Sequence, residues 1–278
     1  MNYESMELIL VDDGSTDGSS ELCDSYSKGK NWVKVIHKKN GGLSSARNAG
    51  MRIATGEFIC FIDSDDYVKK NYLKELKSAL EKNESADFSF CDFFDDSRPE
   101  IKKEITAECE LNILLKDHYS REYVMGVVAW NKLFRKSFLE GIYFKENRWH
   151  EDEFFVNELL KRKAKGVFVN KKLYVYRLNE QSITGVENHF NLRHLDVLDA
   201  YMERISNLKC AKERDLELVT IKNGFEKLNR LRKEATDNKN SNGIFLNECK
   251  RKYRKLYEIS WREINIKQKI KYLIEYYR

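Results

Sequence analysis

The N-terminal third of the chain alternates between short apolar runs and amphipathic segments, and this alternation limits the possible folds more than any other feature. Strands are predicted at the apolar runs, residues 8–11, 33–37, 57–63 and 86–94. Helices are predicted between them, at residues 16–28, 40–54 and 69–83. Such alternation is typical of an α/β fold, with a wound, mostly parallel sheet and helices on both of its faces.

Acidic residues follow two of the predicted strands. The first strand leads into Asp12 and Asp13, and the third leads into "DSDD", residues 63–66. The third run is almost continuously apolar, which predicts a strand buried on both faces, as in a parallel sheet. Ligands of wound sheets bind at the carboxyl ends of the strands. The sequence therefore predicts a site where these acidic residues lie.

Asp63 and Asp65 are candidate ligands of a hard cation. They lie two residues apart, and a turn of the chain at this point would bring both carboxylates into one pocket. Oxygen ligands suit Mg²⁺ or Mn²⁺, which binds through one or two carboxylates together with substrate phosphates. The alternative is a loop in which Asp66 caps a helix that begins near Lys69.

Two further segments combine polar residues with glycine. In "VDDGSTD", Gly14 suits a tight turn, although an ordinary strand-to-helix turn with capping Asp and Ser residues has the same pattern. In "NGGLSSARNAG", Gly41 and Gly42 allow a close approach of the backbone to a ligand, and Arg47 follows in a helix. Neither segment matches the P-loop or the dinucleotide-binding pattern.

Composition excludes several classes of protein. No apolar run approaches the ~20 residues that span a bilayer, and no basic-then-apolar signal segment opens the chain, so a cytoplasmic protein is expected. The net charge of +5 is compatible with an anionic partner such as a nucleotide phosphate or a membrane surface, and no nucleic-acid partner is expected. The six cysteines form no C-x-x-C pair, which favours reduced structural thiols.

The pattern changes twice along the chain, so three regions are predicted. Residues 1–98 form an α/β half that binds a ligand, residues 99–188 form a second half of mixed pattern, and residues 189–278 are almost wholly helical. Within the second region, "GVFVNKKLYVYRL" predicts two short strands or one bent strand.

Taken together, three motifs resemble those of family 2 glycosyltransferases of the GT-A fold. They are D-D-G-S-x-D at residues 12–17, N-x-G-x-x-x-A-R-N-x-G at 40–50 and F-x-D-S-D-D at 61–66. "HEDEFF" at 150–155 looks like the acidic catalytic motif of the family, although alone it would be an ordinary acidic helix start. Residues 130–139 and 174–184 look like the bacterial subgroup that builds cell-surface polysaccharides.

The resemblance implies a site for a nucleotide-diphospho-sugar donor. Asp12 or Asp13 would hydrogen-bond uracil or another base, Asp63 would approach the ribose, and Asp65 would coordinate the Mn²⁺ or Mg²⁺ that bridges the diphosphate. The donor-binding residues implied are Asp12, Asp13, Ser15, Gly42, Arg47 and Asp63.

The resemblance also implies the reaction and its partners. Asp152 would be the general base that deprotonates the acceptor hydroxyl, with Glu151 as the second candidate. The product would be an inverted glycosidic bond, made from a donor such as a UDP-sugar to a glycan or lipid-linked acceptor. Two alternatives are a binding protein that has lost activity and a nucleotidyltransferase, although the latter needs a Gly-rich loop with Arg or Lys that this chain lacks.

One part of the family pattern is missing. A strand of the type V-S-V-I-V-P-x-Y-N, followed by a helix, is absent ahead of Leu8. The resemblance therefore predicts an unpaired edge on the strand at residues 8–11, and with it an unstable or inactive polypeptide.

The last helix carries an apolar stripe beside a basic face. The stripe consists of Ile266, Ile270, Leu273, Ile274 and Tyr277, and the basic residues are Lys267, Lys269, Lys271 and Arg278. This pattern predicts peripheral attachment to the inner face of the cell membrane. The alternative is that the stripe packs on the rest of the helical region.

Overall fold

The computed structural model describes residues 5–94, 108–111, 114–116, 126–177, 191–237 and 243–277. The chain divides into two compact units, one made of Met1–Leu111 with Val124–Leu178, the other of Asn112–Tyr123 with Asn179–Arg278. Each unit has its own hydrophobic core.

The first unit contains the alternating strands and helices. In chain order they are β1 (Leu8–Asp12), α1 (Ser19–Ser27), β2 (Val33–His37), α2 (Leu43–Ile53), β3 (Phe58–Cys60), β4 (Tyr67–Val68), α3 (Tyr72–Lys82), β5 (Phe88–Phe94), β6 (Glu108–Glu110), β7 (Lys132–Arg135), α4 (Lys136–Leu139), α5 (Glu151–Lys161) and β8 (Lys165–Val175). The predicted α/β class is confirmed.

The strands form two sheets. β1 and β2 pair in parallel, with Leu8 opposite Val33 and Asp12 opposite His37. The larger sheet has the order β3-β7-β5-β8-β4, and β6 also pairs with β8. It is more mixed than the sequence predicts, because β7 lies between β3 and β5 and is antiparallel to both. Among the described strands, β1 has a partner on one side only.

The burial predicted for the third apolar run is wrong. β3 is only three residues long and half-buried, and Ile62 beyond it is 37% exposed. The reason is its position at the end of the larger sheet, where β7 is its ladder partner among the described strands. Phe61 is the buried residue of this run, and its ring packs edge-on against Phe144 at 5.2 Å.

Helix α3 packs its apolar face onto the larger sheet, as its spacing predicts. Leu76 and Leu80 are fully buried beside Cys91 of β5 and Tyr174 of β8. β8 is one bent strand, and its register against β5 shifts on both sides of Asp92. A register irregularity of this kind bends a strand and redirects its side chains. In β8 the irregularity lies immediately before Tyr174, which pairs with Phe93.

The second unit is helical, as predicted. A 3₁₀ turn at Leu192–Leu195 is followed by α6 (Asp196–Ala211), α7 (Arg214–Asp237), α8 (Gly243–Ser260) and α9 (Ile266–Tyr277). The predicted core positions Ile221, Phe225 and Leu228 are buried, and Tyr272 of α9 stacks on Phe225 at 3.7 Å. No helix in the described ranges combines the length and the apolar character that crossing a membrane requires.

Candidate active site

The acidic segment after β3 forms a tight turn. The amide of Asp66 donates to the carbonyl of Asp63 at 3.1 Å, which closes the turn. Asp66 does not cap α3, whose N-cap is Asn71. Its carboxylate instead accepts hydrogen bonds from the Arg177 backbone amide and from the Tyr174 hydroxyl, both at 2.8 Å. Asp66 therefore ties this turn to the end of β8.

Arg47 connects this turn to the acidic start of α5. Its guanidinium donates to Asp63 at 2.8 Å, to Glu151 at 2.8 Å and to Asp152 at 3.0 Å. The Arg47 side chain is 6% exposed, and its guanidinium carbon lies 5.1 Å from the centre of the Phe144 ring. Three carboxylates from two distant segments of the chain therefore share one buried cation.

The residue after Arg47 fixes the segment that leads into α5. The side-chain nitrogen of Asn48 donates to the Phe144 carbonyl at 2.9 Å and to the Glu146 carboxylate. Its side-chain oxygen accepts a hydrogen bond from the backbone N–H of Phe144 at 2.8 Å. Asn147 and His150 adopt left-handed backbone conformations at φ 58° and 57°. Asn and His tolerate this region better than most residues, so the segment can turn sharply and present Glu151 and Asp152 to Arg47.

Burial and charge shift the acid–base behaviour of this cluster. Burial is the main cause that raises the pKa of Asp152 to about 7, with Arg47 opposing the shift and the charges of Glu151 and Asp63 adding to it. Burial lowers the pKa of Arg47, but Asp152, Asp63 and Glu151 outweigh this effect and raise it. Burial also lowers the pKa of Lys132, on β7, to about 7. The cluster therefore holds a carboxyl group that can exchange a proton near neutral pH.

The two acids after β1 have separate partners. Asp12 is buried and accepts from His37 and from the Ser15 amide, both at 2.9 Å. The hydrogen bond from His37, followed by that from Ser15, lowers the pKa of Asp12. Asp13 accepts from the amides of Gly41 and Gly42 and pairs with Lys38. These bonds fix the turn that follows β1 to the start of α2.

Asp65 lies in the turn after β3 and is partly exposed. In the described part of the chain, no group of three or more His, Cys, Asp or Glu residues is arranged to hold a metal ion. Asp63 is paired with Arg47, so Asp65 is the candidate ligand in this turn, and substrate phosphates would supply further oxygens. The turn therefore fits a cation that binds together with a phosphorylated ligand.

Sequence reasoning missed three residues that build this site. Asn48 orients the segment before α5, Lys132 places a buried amine near Asp152, and Tyr174 accepts the Asp63 amide at 3.2 Å. Each lies within a segment that the motifs include. Sequence patterns assigned none of the three a separate role, because single Asn, Lys and Tyr residues in such segments also occur at ordinary surfaces.

Comparison with known proteins identifies the family. The model of "Glycosyl transferase family 2" matches residues 1–143, about half of the chain. The protein belongs to glycosyl transferase family 2. This glycosyltransferase is 31% identical to the glycosyltransferase GlyG of Streptococcus pneumoniae over 219 residues, which cover 74% of this chain and 71% of GlyG.

Solved structures with a similar fold confirm the predicted GT-A type. TarS of S. aureus, residues 1–349 in complex with UDP, has a TM-score of 0.58 and 20% identity, over 76% of this chain and 60% of that chain. A mannosyltransferase of Pyrobaculum calidifontis, in complex with GDP-Man and Mn²⁺, has a TM-score of 0.56 and 13% identity, over 97% of this chain and 76% of that chain.

Replacing Arg47 by Met should destabilise this glycosyltransferase by about 3–5 kcal/mol, because it leaves buried carboxylates without their counter-ion. Arg47 holds the pKa of Asp152 down, so in the variant this folded-state pKa would rise further above the unfolded value, and stability falls as pH rises from about 4 to beyond 7. Thermal melts of the variant and the wild type should therefore differ most at pH 8 and least at pH 5.

The matched control is Arg52→Met, an exposed arginine at the end of the same helix. It should melt within a few degrees of the wild type at every pH. An Arg47→Met protein whose loss of stability does not depend on pH would show that the carboxylates do not rely on Arg47.

Proposed function

We propose that the protein transfers a sugar from a nucleotide-diphospho-sugar, specifically a UDP-sugar, to a hydroxyl group of a glycan or lipid-linked acceptor, with inversion at the anomeric carbon. The reaction would serve cell-surface polysaccharide synthesis. Membership of the family and the UDP complex of TarS support a nucleotide-sugar donor. The name of another curated relative, the minor teichoic acid biosynthesis protein GgaB of Bacillus subtilis, supports the cell-surface context.

The observation that carries this proposal is the bridge made by Arg47. It joins Asp63, at the proposed donor side, to Asp152, the proposed base, within a single site. A displacement reaction requires the donor and the base to be held in a fixed relation to each other. One rigid guanidinium with hydrogen bonds to both sides would provide this relation.

Asp152 is the proposed general base. A base is most efficient when its pKa is close to the working pH, and burial raises the pKa of Asp152 to about 7. The deprotonated carboxylate would accept the proton of the acceptor hydroxyl as the oxygen attacks the anomeric carbon. Attack on the side opposite the leaving nucleoside diphosphate inverts the configuration at that carbon.

Asp65 is the proposed ligand of Mn²⁺ or Mg²⁺. When bound with the donor, such an ion would stabilise the negative charge of the leaving diphosphate. The Mn²⁺ complex of the Pyrobaculum mannosyltransferase supports this proposal. Asp12, Asp13, Ser15 and Gly42 are proposed to surround the nucleoside, since their hydrogen bonds hold the turn after β1 against the start of α2.

Release of UDP from a panel of UDP-sugars tests the proposed reaction. Asp152→Asn keeps the shape of the side chain but removes the proton acceptor, so turnover should fall about 10²–10⁴-fold. The affinity for UDP should be retained, because Asp152 is assigned to the acceptor side. Wild-type turnover should itself rise from pH 6 to pH 8, as the carboxyl group with a pKa of about 7 loses its proton.

The matched control is Glu158→Gln, on the same helix and paired with Lys161 at the surface. It should keep wild-type turnover. If Asp152→Asn also keeps it, the base is assigned wrongly and Glu151 is the next residue to substitute. An absence of UDP release with every donor would contradict the proposed reaction itself.

Calorimetry of UDP binding tests the proposed metal. Affinity should be higher with Mn²⁺ than with EDTA, and Asp65→Ala should remove this difference. Ser64→Ala, in the same turn, is the control and should leave the metal dependence intact. Equal affinity with Mn²⁺ and with EDTA in the wild type would rule the metal site out.

We also propose peripheral attachment to anionic membrane through α9. The apolar stripe does not pack on the rest of the described helices, since its five members Ile266, Ile270, Leu273, Ile274 and Tyr277 are 46–79% exposed. The buried side chain of this helix is that of Tyr272, which packs into the core of the second unit. Lys267, Lys269 and Lys271 lie beside the stripe, each worth about 1 kcal/mol near an anionic surface, while Arg278 lies outside the described residues.

Sedimentation with phosphatidylserine-containing vesicles tests this attachment. The double variant Ile270→Ser with Ile274→Ser should lose binding and keep its melting temperature, because both side chains are exposed. The control Leu22→Ser removes a side chain that is 69% exposed on the other unit and should still bind. Unchanged sedimentation of the double variant, or equal binding to neutral vesicles, would contradict the proposal.

A further inference from the structure

A cavity of about 960 Å³ lies beside the turn that contains Asp65. Its lining residues come from β4, the start of α3, and the ends of β5 and β8. They are Tyr67, Val68, Lys69, Lys70, Asn71, Phe94, Val175, Tyr176 and Arg177. This volume is at the upper end of the ~300–1,000 Å³ typical of ligand sites.

The charged groups of this cavity are all basic. Lys69, Lys70 and Arg177 line it, and no Asp or Glu does so among the described residues. None of the three side chains has an ion pair with a described carboxylate. The nearby Asp66 uses both of its oxygens to accept from the Arg177 amide and the Tyr174 hydroxyl. The described lining of the cavity is therefore positively charged and suits an anion.

Aromatic rings line the same space. Tyr67 is 57% exposed, and Lys69 Nζ lies 4.2 Å from the centre of the Phe94 ring. The third ring, Tyr176, is supported from behind by Trp130, with ring centres 5.8 Å apart. Aromatic faces with a few oriented polar groups are typical of sites for organic ligands, and flat rings suit the apolar faces of sugar rings.

The cavity is lined by residues that follow the turn, whereas the Arg47 cluster includes Asp63 at the start of the turn. Asp63 faces Arg47, whereas Asp66, three residues later, faces Tyr174 and the backbone of Arg177. The residues proposed to bind the donor lie on β1, on α2 and at Asp63, and none of them lines the cavity. A ligand in the cavity would therefore lie beside the turn without contacting the residues proposed to bind the donor.

We propose that this cavity binds the acceptor, and that the acceptor is an anionic glycan that carries phosphate or carboxylate groups. This inference rests on the proposed function. Lys69, Lys70 and Arg177 would pair with the anionic groups, and the aromatic rings would contact the sugar units. The chemistry of the cavity thus assigns a class of acceptor to the proposed transfer reaction.

Binding titrations with three soluble oligomers test this inference: a glycerol phosphate oligomer, a galacturonic acid trisaccharide and a neutral galactose trisaccharide. At least one of the anionic oligomers should bind about tenfold or more tightly than the neutral one. The triple variant Lys69→Gln, Lys70→Gln, Arg177→Gln should lose this preference. The backbone amides of Lys69 and Arg177 keep their bonds to Leu173 and Asp66, so the fold should be retained.

The control is Lys82→Gln, at the far end of α3, which should keep the wild-type preference. Since the triple variant could still be destabilised, the wild type is also titrated at increasing NaCl. Affinity for the anionic oligomers should fall with salt while that for the neutral oligomer does not. The two anionic probes separate phosphate from carboxylate as the recognised group.

UDP binding, measured with Mn²⁺ on the same samples, separates this inference from the proposed function. Retained UDP affinity in a triple variant that has lost the anionic oligomers would support the assignment. Equal binding of neutral and anionic oligomers would overturn it. A parallel loss of UDP and oligomer binding would also overturn it, because the cavity would then belong to the donor. No UDP binding by the wild type would count against the proposed function.

Discussion

The buried guanidinium of Arg47 is the interaction on which the first unit depends. It is the partner of Asp63, Glu151 and Asp152, which reach it from the turn after β3 and from the start of α5. Burying a carboxylate without a counter-ion costs several kcal/mol. One side chain on α2 therefore makes it possible for segments about a hundred residues apart in sequence to converge.

The charges in this cluster do not balance. One guanidinium faces three carboxylates, and burial, together with the negative charges of Glu151 and Asp63, raises the pKa of Asp152 towards neutral pH. A protein built for stability alone would place fewer acids here, since like charges repel. Buried groups with strongly shifted pKa values cluster at functional sites. The excess of acids therefore lowers stability, but it also provides a carboxyl group that can exchange protons near neutral pH.

The sequence predicted those features that depend on short-range patterns. The bounds of β2 match the prediction, β1 extends it by one residue to Asp12, and the acids lie at the ends of strands as the alternation requires. Two features were not predictable in this way. The insertion of β7 between β3 and β5 depends on long-range pairing, and the ion pair between Arg47 and Asp152 joins residues 105 apart in sequence. No local pattern encodes either, although the family resemblance placed Arg47 and Asp152 in the same site.

The turn after β3 adjoins two environments of opposite charge. Asp63 belongs to the acidic cluster around Arg47, while Asp66 is held at the edge of a cavity whose charged groups are basic. An anionic acceptor would be repelled by the acidic cluster, yet its hydroxyl group must reach Asp152 for the proposed reaction. A basic cavity beside the turn would resolve this conflict, because it would hold the negative groups away from the carboxylates while the neutral end of the acceptor extends towards the base.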